Sequence, residues 1–248
     1  MDAILRHSTS RPHLAMALCL AAIMAVSGFT LWMSADASPA GWLSVICRPA
    51  ADAGFPQIAA LWLAMTLAMM IPSAAPMLST YLDIAEAAAA KEMRIASPFW
   101  LAAGYGVVWI GFAFAAAFLQ WTALAAGMTG ELEGRFAGLV LIGAGAYQFT
   151  GLKQACLSKC RAPMSYFMAH WSDRPSGVLR MGVDQGAHCF GCCWALMALS
   201  FVAGLMNVLW MGFIGMVMVL EKTLPEPRPL SYGLGAGLIG AGLLMVFV

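Results

Sequence analysis

Long apolar runs with almost no charged residues limit what this chain can fold into. The clearest runs cover residues 57–80, 99–121, 135–152 and 231–247, and a membrane-spanning helix needs about 17–25 apolar residues. Only 10% of the 248 residues are charged, whereas soluble domains carry about a quarter. The sequence therefore predicts an integral membrane protein whose main partner is the lipid bilayer. Nucleic acid is excluded as a partner, because the net charge is only +1 and the basic residues are dispersed.

The apolar runs predict an all-α fold, a polytopic integral membrane helix bundle. We expect about seven transmembrane helices, with six as the alternative because the sixth span is short, within a single integral membrane domain, 1–248. The first run exceeds the roughly 7–15 residues of a signal peptide, which favours a retained helix. The predicted spans are 14–33, 57–80, 99–121, 135–152, 184–205, 208–221 and 231–247.

The distribution of basic residues predicts how the bundle is oriented. With seven spans, eleven of the 13 Lys and Arg residues lie on the same side as the N-terminus. Only Arg48 and Arg135 lie on the other side. Because basic loops stay in the cytoplasm, we expect a cytoplasmic N-terminus. The predicted location is the bacterial inner (plasma) membrane, which the chain crosses several times.

The segment DQGAHCFGCCW, which begins at Asp184, concentrates residues that bind metals. On a helix, Asp184, His188 and Cys192 form one stripe, and Cys189 and Cys193 form a second pair. Thiol, imidazole and carboxylate groups are ligands for soft or borderline metals. A single cysteine in an apolar helix is more often a small packing residue. The cluster favours a metal or redox site, because a carboxylate and an imidazole are costly to place in lipid.

Two other segments are predicted to reach the same depth near the cytoplasmic leaflet. Cys156 and Cys160 follow the fourth span, and Pro72 interrupts the second span beside Met69 and Met70. Proline opens a membrane helix by removing a backbone donor, and the methionine thioether is a soft ligand. We therefore predict both cysteines and both methionines as further metal ligands, with the Asp184 carboxylate orienting a histidine ring.

Three other residues with suitable side chains are not expected to be ligands. Cys19 lies within the first span, and Cys47 lies alone in an external loop. His170 belongs to the polar connection 161–183, and a lone histidine there is usually solvated.

Three motifs in order resemble the DUF2182 family of predicted metal-binding integral membrane proteins. They are AMMIPSAAPM followed by Tyr81, YQFTGLKQACLSKCR, and GAHCFGCCWALM. The resemblance is strongest over residues 57–222. It implies a helical membrane protein with a metal site.

The leading hypothesis is a membrane metal-handling protein, with copper as Cu(I) first and zinc second, served by a membrane or soluble metal-delivery partner. The first alternative is a membrane oxidoreductase that uses a thiol/disulfide relay or a bound metal, although no cofactor motif is present. The second is a structural subunit of a membrane complex. In that case helix 231–247, with small residues at regular spacing, docks a partner or a second copy. The sequence leaves open whether the metal is transported, stored, delivered or used in catalysis.

Overall fold

The computed structural model of the protein describes residues 54–91, 95–126, 134–201, 208–224 and 226–247. The predicted first span, Cys19, Cys47 and the orientation of the N-terminus lie outside these residues. Every regular element in the described part of the chain is helical, which confirms the all-α prediction. The helices are α1 Phe55–Ala89, α2 Pro98–Ala125, α3 Gly134–Gln148, α4 Gly151–Arg161, α5 Pro163–His170, α6 Pro175–Ala198, α7 Val208–Thr223 and α8 Arg228–Phe247.

Proline and hydroxyl residues set where several helices begin. Helices α2, α5 and α6 each start on a proline, whose missing N–H has no helical partner at that position. Ser97 caps α2 and Thr150 caps α4, each by accepting a hydrogen bond from a backbone N–H of the first turn. The Thr150 cap matters for the site, because it ends the predicted fourth span and starts a new helix that carries two cysteines.

Among the described residues, three helices are long and apolar enough to cross a membrane, namely α1, α2 and α8. The predicted count of about seven spans is not what the described residues show. Helix α3 has 15 residues and rises about 22 Å, which is less than the roughly 30 Å of a bilayer core. Helix α6 is long enough with 24 residues, but it carries Arg180 and Asp184 and is not among the apolar three.

Glycines bring two pairs of helices into backbone contact. Helices α2 and α6 cross at Gly104 and Gly182, where an added Cβ would meet the backbone of the opposite helix. Helices α3 and α8 meet in the same way, and a Cβ on Gly242 would lie 2.6 Å from the carbonyl oxygen of Gly138. The small-residue face predicted on helix 231–247 therefore packs against α3 of the same chain. An oligomer formed through this helix would need a different face.

The outer and inner surfaces of the bundle differ in the way expected for helices that face lipid. Large apolar side chains on the outside are exposed. Leu119 of α2 is 62% exposed and Phe247 of α8 is 81% exposed. Inside, Trp62 and Trp109 are buried, and both rings pack edge-to-face against Phe112 in an aromatic core. This core packs α1, α2 and α6 together, and α6 is the helix that carries the cysteine cluster.

Candidate metal centre

Three thiols of α6 form a compact, buried group. Cys189, Cys192 and Cys193 occupy positions i, i+3 and i+4 of the helix, which share one face. All three side chains are buried, and their Sγ atoms lie within 4.8 Å of one another. The thiols of Cys192 and Cys193 donate to the carbonyl oxygen of Cys189 at 3.1 and 2.9 Å. In the part of the chain that the structure describes, this is the group of metal-binding side chains whose ligand atoms are closest together.

Helix α4 brings a fourth and a fifth cysteine to the same place. The Cys160 thiol lies close enough to the thiols of Cys189 and Cys192 for the three groups to influence one another's protonation. Cys156 packs against Gly191, where an added Cβ would lie 2.6 Å from its Sγ atom. All five thiols are free. The structure thus joins the two cysteine segments that the sequence placed at one depth.

Helices α1 and α2 close the site with polar groups. The hydroxyl of Tyr105 lies 3.1 Å from the Cys189 Sγ atom, and the Ser73 hydroxyl lies 3.8 Å from it. Both hydroxyls also contact the Met70 carbonyl oxygen, and the Met70 thioether is 3.8 Å from the Ser73 hydroxyl. The proline-containing segment of α1 therefore does reach the thiols, through Ser73 and the Met70 backbone. Met69 is buried and points elsewhere, toward Gly215 of α7.

A lysine that sequence reasoning missed lies directly on the cluster. The Lys222 Nζ atom donates to the Cys189 sulfur at 3.0 Å. The sequence placed this residue in a cytoplasmic loop, but α7 continues through it to Thr223. The signal available in the sequence was the Glu221–Lys222 pair at the end of an apolar helix. A charge there marks either the end of the span or a buried partner.

A buried ion pair lies next to the site and was also missed. The Lys153 ammonium donates to both carboxylate oxygens of Glu221, at 2.7 and 2.9 Å, and to Gln148. The Ser231 hydroxyl donates to the same carboxylate at 2.6 Å. The two charged side chains are 0% and 3% exposed. Lys153 and Glu221 thus tie α4 to α7, the helices that supply Cys160 and Lys222 to the thiols.

His188 and Asp184 do not lie on the thiol cluster. They line a separate cavity of about 410 Å³ together with Tyr166 and His170. The Asp184 carboxylate accepts a hydrogen bond from the Tyr166 hydroxyl at 3.0 Å, and the His188 ring contacts the Asp184 backbone carbonyl instead. The expected orientation of the ring by this carboxylate is therefore not the arrangement found. Burial, followed by the bond to Asp184, raises the pKa of Tyr166 well above its usual value, which keeps the phenol a donor.

The fold and the thiol cluster define the class of protein, a helical protein with a buried group of thiols that could hold a metal ion. The chain belongs to the PpoB2 copper chaperone family, whose model matches residues 59–245. The resemblance noted in the sequence is confirmed at the level of a copper-related family, under that name and not as DUF2182. No curated protein and no solved structure matches the chain.

Proposed function

We propose that this chain is a membrane protein that binds Cu(I) at its buried thiols and delivers it to a partner. The ligands are Cys189, Cys192 and Cys193 of α6, joined by Cys160 of α4. The observation that carries the proposal is the spacing of the three α6 thiols, whose Sγ atoms lie within 4.8 Å of one another. Two sulfurs bonded to one ion at about 2.3 Å lie no more than about 4.6 Å apart. Small side-chain rotations are therefore enough to gather the three sulfurs around an ion.

The ligand set favours copper over zinc. Thiolate and thioether sulfur are the soft ligands that suit Cu(I), and the family carries the description of a copper chaperone. A structural zinc site takes four ligands in a tetrahedron. Three thiols come from one helical face and Cys160 would be the fourth ligand, so the number of ligands does not separate the two metals, and the preference for copper rests on the soft sulfur ligands and the family. Zinc is the second choice, and the experiment below separates the two metals.

The groups around the thiols suit a site whose ligands carry negative charge. Several thiolates around a monovalent ion leave an excess of negative charge, which is costly in a buried environment. The Lys222 ammonium, 3.0 Å from the Cys189 sulfur, offsets part of that charge. The hydroxyl groups of Tyr105 and Ser73 approach the same sulfur, and hydrogen bonds of this kind orient and tune metal ligands.

Delivery needs a route from the buried thiols to the surface, and Cys156 offers the first step. It is half-buried, whereas Cys192 is buried, and it packs against Gly191, which directly precedes Cys192. Sulfur ligands exchange a soft metal without releasing it to water when an incoming thiol is already close. We propose that copper leaves through Cys156 to a thiol or thioether of the delivery partner.

The test is metal analysis of full-length protein purified in detergent under anaerobic, reducing conditions. We expect about one copper per chain, because the three thiols surround one point, and Cu(I) binding measured by competition with a chromogenic chelator. A Cys192→Ser/Cys193→Ser variant should lose both, while Cys47→Ser, the same change at a cysteine that the sequence predicts in an external loop, should lose neither. Zinc in place of copper would overturn the choice of metal. A metal-free wild type with disulfide-linked cysteines would replace metal handling by thiol redox chemistry.

A further inference from the structure

The two histidines in the cavity beside α5 and α6 hold their rings in the same way. The Nδ1 atom of His170 lies 3.1 Å from the Tyr166 carbonyl oxygen, and the Nδ1 atom of His188 lies 2.5 Å from the Asp184 carbonyl oxygen. A carbonyl oxygen only accepts, so each Nδ1 atom carries the proton. In a neutral ring held this way, the Nε2 atom carries the lone pair that can bind a metal. Histidines that bind metals typically have this arrangement, with the other ring nitrogen bonded to a carbonyl or carboxylate.

Tyr166 holds the two rings and a carboxylate around one space. Its ring stacks on His170 with centroids 4.6 Å apart and lies 6.2 Å from the centroid of His188. Its hydroxyl donates to the Asp184 carboxylate at 3.0 Å. These side chains line the same cavity of about 410 Å³. The cavity opens to the surface, since His170 is exposed while His188 and Asp184 are half-buried.

The chemistry of this cavity differs from that of the thiols. Imidazole nitrogen and carboxylate oxygen are harder donors than thiolate, and together they suit divalent borderline ions such as Cu²⁺ and Zn²⁺. We propose that the cavity is a second metal site, which binds a divalent borderline cation through the Nε2 atoms of His170 and His188 and the Asp184 carboxylate. It is separate from the thiol site and does not depend on it.

Lys159 tests whether the ligand is a cation. This exposed residue of α4 also lines the cavity, and its positive charge opposes a bound cation. Lys159→Gln should therefore tighten the binding of a divalent cation. If the cavity binds an anion instead, the same substitution will weaken binding and overturn the proposal.

The experiment is a Cu²⁺ titration of full-length protein in detergent, followed by electron paramagnetic resonance. The thiols are first filled with Ag⁺, which replaces Cu(I) without redox chemistry, and the bound silver is measured on the same sample. We expect a Cu²⁺ signal with couplings to nitrogen. His170→Gln and Asp184→Asn should each weaken Cu²⁺ binding by about tenfold or more, and His170 is exposed, so its replacement leaves the core intact.

The other two histidines of the chain provide the matched control. His7→Gln/His13→Gln should leave the Cu²⁺ signal unchanged. A signal that survives His170→Gln and disappears in this control would overturn the proposal, as would the absence of nitrogen couplings in the wild type. Loss of silver binding with the Cu²⁺ signal retained would instead count only against the thiol site, so the two proposals fail separately.

Discussion

Breaking the buried ion pair between α4 and α7 should destabilise the protein more than removing it entirely. Lys153 and Glu221 are almost completely inaccessible, so neither charge has water as an alternative partner. Glu221→Gln leaves the Lys153 ammonium with Gln148 and neutral groups only. Lys153→Met leaves the Glu221 carboxylate with the Ser231 hydroxyl. Each single change therefore leaves one uncompensated buried charge, whereas Lys153→Met/Glu221→Gln leaves none.

The expected magnitudes follow from these contacts. Removing one partner of a buried pair costs about 3–5 kcal/mol, because the other charge stays desolvated. For a chain of this length that lowers the unfolding midpoint by about 6–20 °C. The double change leaves only neutral groups short of partners, at about 1–3 kcal/mol. If the two sites were independent, the double variant would instead lose about 6–10 kcal/mol.

The assay is thermal unfolding of the wild type, the two single variants and the double variant in detergent, followed by the fluorescence of the buried tryptophans. The matched control is Lys159→Met, which removes an exposed lysine of the same helix and should change stability by no more than about 0.5 kcal/mol. A double variant that is less stable than either single variant would refute the reasoning. A Glu221→Gln variant as stable as the wild type would also refute it, because breaking the ion pair would then leave the stability of the fold unchanged.

Glycine substitutions test the packing around the site and between the helices. Gly191→Ala should slow the transfer of bound Cu(I) to an added chelator and leave the Cu(I) affinity nearly unchanged, because the new Cβ would lie 2.6 Å from the Cys156 sulfur and displace it. The rate of that transfer measures this, and an unchanged rate would remove Cys156 from the metal's route. Gly138→Ala should destabilise the protein by about 1–3 kcal/mol, since its Cβ would lie 2.7 Å from a carbonyl oxygen of α8. A Cβ added at Gly143 on the same helix meets nothing within 4 Å, so Gly143→Ala should be neutral or stabilising by up to about 1 kcal/mol. Thermal unfolding measures both variants. If Gly143→Ala proved the less stable of the two, the described contact of α3 with α8 would be contradicted.

The helical class was predictable from the sequence, whereas the number of spans was not. Few charges and long apolar runs leave a membrane protein little choice but helices, since lipid offers the backbone no hydrogen bonds. Counting spans also requires knowing which charges lie in loops. Lys153 and Lys222 were assigned to loops, yet each has a partner on another helix, 68 and 33 residues away along the chain. Local patterns do not reveal partners at that distance.

The composition of the site was only partly predictable, because local patterns do not show which helices pack together. Helical spacing predicts Cys189 and Cys193 as a pair, but it puts Cys192 on a stripe with Asp184 and His188. The order of the spans predicts Cys160 at the same depth. Neither pattern predicts the position of His188. It lies directly before Cys189 in sequence, but one helical step turns its side chain by about 100° toward α5. On α5, the Tyr166 ring contacts the rings of both His188 and His170. Two neighbouring residues that can both bind a metal therefore lie in different environments, and the packing of α5 decides this.

The buried charges and the thiols are parts of one polar interior. Lys153, Cys156, Leu157 and Cys160 are spaced i, i+3, i+4 and i+7, so α4 presents the ion pair and two thiols on one inward face. Glu221 and Lys222 are neighbours on α7, and one binds Lys153 while the other contacts Cys189. An ion pair in such a core contributes little net stability compared with apolar packing. It does fix how α4 and α7 sit relative to α6, because its geometry admits few alternatives. We conclude that the pair positions the thiols of α4 and the ammonium of Lys222 at the thiol cluster.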